Sequence, residues 1–119
     1  MIETRDRATR HSWSWFVQAF TGVLLLILLS LHMIAQHFIV EGGLREFADI
    51  VDYLRNPVIL VLEGLFLVTV TIHALLGVRA VVFDFALSER SERRVGRFLL
   101  WLGVATVAYG AWIIWLVAA

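Results

Sequence analysis

Four residues with chemically useful properties lie close together in an otherwise apolar stretch. A histidine, a glycine, an arginine and an aspartate end the apolar run that begins near Val58: His73, Gly77, Arg79 and Asp84. Polar side chains are costly inside a bilayer, and those that occur there are usually functional. A histidine inside a helix bundle is a common axial ligand of haem iron. It can equally hydrogen-bond to a neighbouring helix, and the residue type alone leaves both interpretations open.

The composition indicates that these residues belong to a membrane protein. Hydrophobic residues make up 61% of the 119, against roughly half in soluble domains. They predict transmembrane helices at about residues 14–40, 58–83 and 98–118, each long enough for the ~20 residues that cross a bilayer. We therefore predict an all-α membrane protein with a single domain over residues 1–119. The absence of cysteine excludes disulfides, cysteine-ligated iron–sulfur clusters and thiol catalysis.

The arginines predict the orientation of the spans. They are abundant in the amino-terminal tail and in the second loop, roughly residues 85–97, whereas the first loop, residues 41–57, is acidic. Because cytoplasmic loops are enriched in positive charge, we expect the amino terminus inside and the carboxyl terminus outside. The first loop also contains apolar residues at helical spacing, which predict a short amphipathic helix on the membrane surface. These residues are Leu44, Phe47, Val51 and Leu54.

Helical geometry relates the four polar positions to one another. Gly77 lies one turn after His73 on the same face and would leave room for a flat macrocycle. Asp84 returns to that face about 16 Å further along. Arg79 lies about a third of a turn off the face. There it could pair with a haem propionate or a quinone oxygen, or it could extend to the inner surface.

A second histidine, His32, lies in the first predicted span at a different depth. If Ser14 and Asp84 mark the inner ends of their spans, His32 is about 27 Å and His73 about 16 Å from that end. The two should differ in depth by roughly 10 Å, so they cannot ligate one haem together. If both bind iron, there are two haems, and each takes its second ligand from another chain.

Other polar or small residues of the spans suggest local structure more than chemistry. His37 is interpreted as an interfacial histidine, and Glu63 as a cap-like or water-facing carboxylate. The pair Thr21-Gly22 is a small patch suited to close helix contact. The pair Asn56-Pro57 predicts the cap and first turn of the second span.

Residues in all three spans form a pattern that occurs in a known family. In chain order they are Trp15-Phe16-x-Gln18-x-x-Thr21-Gly22-Val23, Leu31-His32, His73-Ala74-x-x-Gly77-x-Arg79-x-x-x-x-Asp84, and Tyr109-Gly110 before Trp112 and Trp115. The pattern resembles the small membrane-anchor subunits of succinate dehydrogenase and the related fumarate reductases. It covers about residues 13–117, its second-span part is the most specific, and its first-span part favours the D-type anchor.

The resemblance implies a non-catalytic anchor subunit with a flavoprotein subunit, an iron–sulfur subunit and a second anchor as partners. It also implies the cytoplasmic membrane of a prokaryote and no nucleic acid. His73 is implied as an axial ligand of haem b near the inner face, and His32 as a ligand of a second haem near the outer face. Arg79 is implied beside the haem or the quinone, and Asp84 beside the quinone. The arginine-rich loop at 90–97 is expected to dock the soluble subunit.

Some positions depart from the family pattern. Ala19 and Thr21 stand where many anchors have an arginine and a serine that help to bind quinone, and Phe85 stands where some have a tyrosine. The sister anchor is therefore expected to supply more of the quinone site. The alternatives are a haem-free structural anchor and a cytochrome b subunit of another respiratory complex, such as fumarate reductase or a hydrogenase.

Overall fold

The computed structural model describes residues 2–39, 42–43 and 46–119, with side chains from Ser12 onwards. These described residues form four α-helices and no strand, which confirms the predicted all-α fold. In chain order the helices are α1 (Ile2–Phe38), α2 (Phe47–Arg55), α3 (Pro57–Phe83) and α4 (Glu89–Ala118).

Three helices are long and apolar enough to cross a membrane. The candidate spans are Ser12–Phe38 within α1, Pro57–Phe83 and Glu89–Ala118. The shorter two have 27 residues each and are therefore about 40 Å long, which exceeds the ~30 Å hydrocarbon core of a bilayer. The three predicted spans are confirmed, while the inside and outside assignment stays a prediction. The predicted end of the first span, Val40, lies outside the described residues.

Side-chain caps begin α3 and α4. Asn56 Oδ1 accepts a hydrogen bond from the backbone N–H of Val58 at 3.0 Å, and Pro57 is the first helical residue. The predicted cap and first-turn pair is thus confirmed. Ser88 Oγ accepts from the backbone N–H of Ser91 at 3.3 Å. This second cap starts α4 well before the predicted apolar span, so the arginine-rich segment is helical.

The first loop contains the predicted short helix, α2. Its Tyr53 and Leu54 are buried in a cluster with Ala35 of α1 and Ile59 of α3. The carboxyl end of α2 therefore packs onto the bundle and covers one end of it. The location of α2 at a membrane surface stays a prediction, and the predicted apolar position Leu44 lies outside the described residues.

α3 packs against both α1 and α4. Its contact with α4 is close because glycines of α4 face leucines of α3. A Cβ added to Gly103 would lie 2.6 Å from Leu75 Cδ1, and one added to Gly110 would lie 2.7 Å from Leu67 Cδ2. Small residues commonly permit such approach between membrane helices. The central position of α3 brings its polar side chains against α1.

Candidate functional site

His73 of α3 lies against the small patch on α1. Its imidazole Nδ1 is 3.1 Å from Thr21 Oγ1. A Cβ added to Gly22 would lie 3.3 Å from His73 Cε1, closer than ordinary van der Waals contact. Gly22 therefore makes room for the imidazole, and Thr21 provides its hydrogen-bond partner. The patch predicted for close helix contact is confirmed, and the residue that it accommodates is the histidine.

The hydrogen bonds of Thr21 favour one tautomer of His73. Thr21 Oγ1 is also 2.8 Å from the Val17 carbonyl oxygen and 3.1 Å from the Gln18 carbonyl oxygen. A carbonyl can only accept, so the single hydroxyl proton is donated there and the hydroxyl accepts from His73 Nδ1–H. In this arrangement the neutral imidazole keeps an unshared electron pair on Nε2. Within the described part of the chain, that nitrogen makes no hydrogen bond.

Gly77 faces a side chain of α1 instead of the predicted open space. A Cβ added to Gly77 would lie 3.3 Å from Gln18 Nε2. Gln18 of the same chain thus lies in the space that Gly77 leaves, and the approach of a macrocycle there stays a prediction. Gln18 Oε1 is buried and has no hydrogen-bond partner among the described residues.

Arg79 and Asp84 continue along α3 beyond His73. Arg79 is partly buried, with Nη1 donating to Ser14 Oγ at 3.4 Å and the guanidinium carbon 4.8 Å from the centre of the Phe83 ring. Asp84 caps α3 directly after its last residue, Phe83, and its side chain is exposed. The structure thus brings His73 and Arg79 together on the side of α3 that contacts α1. It leaves the carboxylate of Asp84 at the end of the helix, separate from them.

His32 belongs to a second polar cluster that joins three helices. Its Nδ1 is 2.8 Å and 2.7 Å from the two carboxylate oxygens of Glu63 on α3. Tyr53 of α2 donates its hydroxyl to Glu63 Oε1. The ring of His32 also stacks on Phe66, with ring centres 4.7 Å apart. His32 Nε2, like that of His73, makes no hydrogen bond within the described residues.

Glu63 is buried, with 9% of its surface exposed. The interpretation of Glu63 as a cap-like or water-facing carboxylate is therefore wrong, because α2 folds over the end of α3 and Tyr53 covers it. A buried carboxylate is tolerated when its oxygens are paired, and here His32 and Tyr53 pair them. Burial raises the pKa of Tyr53 above its ordinary value, and the nearby Glu63 raises it further. Tyr53 consequently remains a protonated donor at neutral pH.

The two histidines lie at different levels of the bundle, as predicted. On α1, Thr21 beside His73 and His32 are eleven residues apart, which corresponds to about 16 Å. The separation exceeds the predicted value of roughly 10 Å because Ser14 is level with Arg79 and not with the end of α3. One haem therefore cannot use both histidines of one copy of this chain.

The remaining candidate ligands do not assemble into a metal centre. His37 is exposed, and its Nδ1 lies 2.7 Å from the Met33 carbonyl oxygen of its own helix. Within the described residues there is no group of three or more histidine, cysteine, aspartate or glutamate side chains able to hold a metal ion. Any metal bound at His73 or His32 must therefore obtain other ligands elsewhere, as an iron porphyrin does from its own nitrogens.

The partners of both histidines do not follow from the sequence pattern. The pattern indicates Thr21 only as a small residue, and it does not connect His32 with Glu63 or Tyr53. One signal was available, because His32 and Glu63 lie near the same end of two consecutive antiparallel spans. Their depths could have been matched by counting from the first loop. Tyr53 carried no such signal, because its position depends on how α2 folds back.

Comparison with known proteins identifies the family. Residues 4–111 match the family described as succinate dehydrogenase/fumarate reductase transmembrane subunit. A succinate dehydrogenase hydrophobic membrane anchor subunit of Thermoplasma acidophilum is 32% identical over 118 residues, 99% of this chain and 95% of the relative. A subunit of the same name from Archaeoglobus fulgidus is 26% identical over 115 residues, 96% of this chain and 97% of the relative. The resemblance inferred from the spans is confirmed: the chain belongs to the family of succinate dehydrogenase and fumarate reductase transmembrane subunits.

Proposed function

We propose that this chain is the anchor subunit of a succinate:quinone oxidoreductase and provides one axial ligand to each of two b-type haems. His73 is the ligand nearer the inner face, and His32 the ligand nearer the outer face. A second anchor subunit supplies the other two ligands. A flavoprotein and an iron–sulfur subunit bind on the inner side of a prokaryotic cytoplasmic membrane.

The observation that carries this proposal is the state of the His73 imidazole. Its Nδ1 lies 3.1 Å from Thr21 Oγ1, while its Nε2 makes no hydrogen bond within the described residues. The tautomer inferred from the hydrogen bonds of Thr21 leaves the unshared pair on Nε2. Histidines that ligate metals commonly bind the metal with one nitrogen, while the hydrogen-bond partner of the other nitrogen sets the tautomer and the ring orientation. The pair on Nε2 is the chemical group that an iron porphyrin requires from the protein.

The Nδ1 of His32 also has a hydrogen-bond partner on a neighbouring helix, and this partner is a carboxylate instead of a hydroxyl. A carboxylate that accepts from Nδ1 increases the basicity of the imidazole. Glu63 is placed to do so, and Tyr53 keeps Glu63 in position through a second hydrogen bond. Phe66 covers one face of the ring. This cluster therefore fits a ligand whose Nε2 faces iron.

When bound, a haem supplies reversible one-electron transfer. The chain itself contributes the ligand nitrogens, their orientation and an apolar surrounding. Arg79 adds a fixed positive charge suited to a propionate or a quinone oxygen, because Ser14 and Phe83 hold its guanidinium. Asp84 adds an exposed carboxylate at the end of α3, where quinone could exchange a proton with it.

One specific observation favours a second candidate, a haem-free structural anchor. Both histidines form hydrogen bonds between helices, which is what a purely structural role requires. In that case Thr21–His73 and Glu63–His32 only hold α1 against α3. The two candidates differ in whether Nε2 of each histidine has a function.

Reduced-minus-oxidised spectra of the purified complex test the proposal. His73→Ala should remove the signal of one haem, about half of the total, and His32→Ala the signal of the other. His37→Ala is the matched control, because His37 is exposed and, among the described residues, its hydrogen bond is to its own helix. Its spectrum should equal that of the wild type.

Two outcomes would contradict the proposal. A wild-type complex without any b-type signal would support the haem-free anchor. A signal that persists in full after His73→Ala, with all four subunits present, would exclude His73 as a ligand.

The quinone site is tested separately. Asp84→Asn and Arg79→Gln should raise the KM for quinone in succinate oxidation while the oxidation of succinate by a soluble dye stays unchanged. Equal loss of both activities would instead indicate defective assembly.

A further inference from the structure

Four arginines at the start of α4 line a single depression. The depression measures about 220 Å³, and among the described residues its lining consists of Arg90, Arg93, Arg94 and Arg97. Their spacing of three, four and seven residues places them on one face of the helix. The four arginine residues therefore border one shared space.

An anion bound among these four arginines would reduce the repulsion between their charges. Like charges three and four residues apart on a helix repel each other. The positive end of the helix dipole adds to the repulsion, because the arginines occupy the first turns of α4. Glu89 and Glu92 lie in the first turn and reduce the local charge, but neither lines the depression. The four guanidinium groups can together bind a phosphate through charge-assisted, bidentate hydrogen bonds.

The same face of α4 becomes apolar directly beyond the arginines. Phe98 lies four residues after Arg94, and Trp101 four residues after Arg97, so each lies one turn further along the same face. Their side chains are 66% and 69% exposed. A ligand that spans both regions needs an anionic head and an apolar tail.

We infer that this face of α4 binds an anionic phospholipid. The phosphate occupies the arginine-lined depression, and an acyl chain lies along Phe98 and Trp101. An acyl chain can continue from the depression along Phe98 and Trp101, whereas inorganic phosphate or an acidic protein segment would use the arginines alone. Because α4 is a candidate membrane span, the arginines lie where a span of this kind meets the headgroups.

Spin-label EPR on the intact complex in phosphatidylcholine vesicles tests the inference. The measured quantity is the motionally restricted fraction of spin-labelled phosphatidylglycerol, compared with that of spin-labelled phosphatidylcholine. The wild-type complex should prefer phosphatidylglycerol. Removing one guanidinium in Arg94→Gln should lower this preference about fivefold, and Arg94→Gln/Arg97→Gln should abolish it.

Two further variants define the site. Trp101→Ala should weaken retention of both labelled lipids, because it removes the surface for the acyl chain. Arg55→Gln is the matched control, since Arg55 is an exposed arginine of α2 outside the depression. It should leave the preference unchanged. The single variants Arg94→Gln and Trp101→Ala decide the question if the double variant does not assemble.

Three results would overturn the inference. Equal preference in the wild type and in Arg94→Gln would show that the arginines bind no lipid. Loss of the preference on adding inorganic phosphate, at an ionic strength matched with chloride, would indicate a site for free phosphate. Dissociation of the soluble subunits from an Arg94→Gln complex with unchanged lipid preference would assign the arginines to protein docking.

Discussion

At one level of the bundle a threonine hydroxyl holds the Nδ1 of His73, and at the other a carboxylate holds the Nδ1 of His32. The first site is formed by two helices, α1 and α3, and depends on a small residue, Gly22. The second needs a third helix, because Tyr53 of α2 covers Glu63. A neutral partner can be lost at moderate cost, whereas a buried carboxylate requires all of its partners. The His32 cluster should therefore be the more sensitive to substitution.

The largest effect is expected for Glu63→Ala. This change leaves His32 Nδ1 and the Tyr53 hydroxyl without partners in a region where the side chains of His32 and Glu63 are 18% and 10% exposed. Breaking a buried pair should cost about 3–5 kcal/mol of unfolding free energy, measured by SDS-titrated unfolding of the complex. Asp52→Ala, at an exposed carboxylate of α2, is the control and should cost less than about 0.5 kcal/mol. Similar losses in both variants would show that the His32 cluster is no more sensitive to substitution than an exposed surface position.

Tyr53→Phe should have the next largest effect. It removes one hydrogen bond to a charged group, worth about 1.5–3 kcal/mol, in the same unfolding measurement. The pKa of Tyr53 is raised by burial and by Glu63, so its stabilising contribution is complete below about pH 10 and is lost only as the pH rises through the higher folded value. The difference from the wild type should thus be constant between about pH 6 and pH 9. A difference that declines within that interval would contradict this assignment.

Gly22→Ala tests the fit of His73 against α1. The added Cβ would lie 3.3 Å from His73 Cε1, so the imidazole must shift, at a cost of about 1–2 kcal/mol. Gly64→Ala on α3 is the matched control, because a Cβ there meets nothing within 4 Å. The free energy of unfolding should fall in Gly22→Ala and should not fall in Gly64→Ala. Equal behaviour would mean that Gly22 does not determine the position of His73.

The smallest effect is expected for Thr21→Val. It removes the hydroxyl that meets His73 Nδ1 and should cost about 1 kcal/mol. Thr21→Ser keeps the hydroxyl and should restore most of the loss in the same unfolding assay. If serine is as damaging as valine, the methyl group of Thr21 matters more than its hydrogen bond.

The sequence by itself determined the elements of this protein. Three apolar blocks predicted three membrane helices, and Asn56-Pro57 and the loop pattern predicted where α3 and α2 form. The residues of the second span also indicated the family. These features are local: a helix satisfies its own backbone hydrogen bonds, and its apolar length decides whether it crosses a membrane. They can therefore be inferred from consecutive residues.

Only the tertiary structure decided which side chains meet. Gln18 fills the space beside Gly77, Ser14 lies level with Arg79, and Glu63 is buried under Tyr53. Each contact depends on the relative shift of two helices or on the path of a loop. A shift of five residues changes a depth by about 7 Å without altering the apolar pattern of either helix. The partners of both histidines were therefore decided by helix packing, which the order of residues along one helix does not specify.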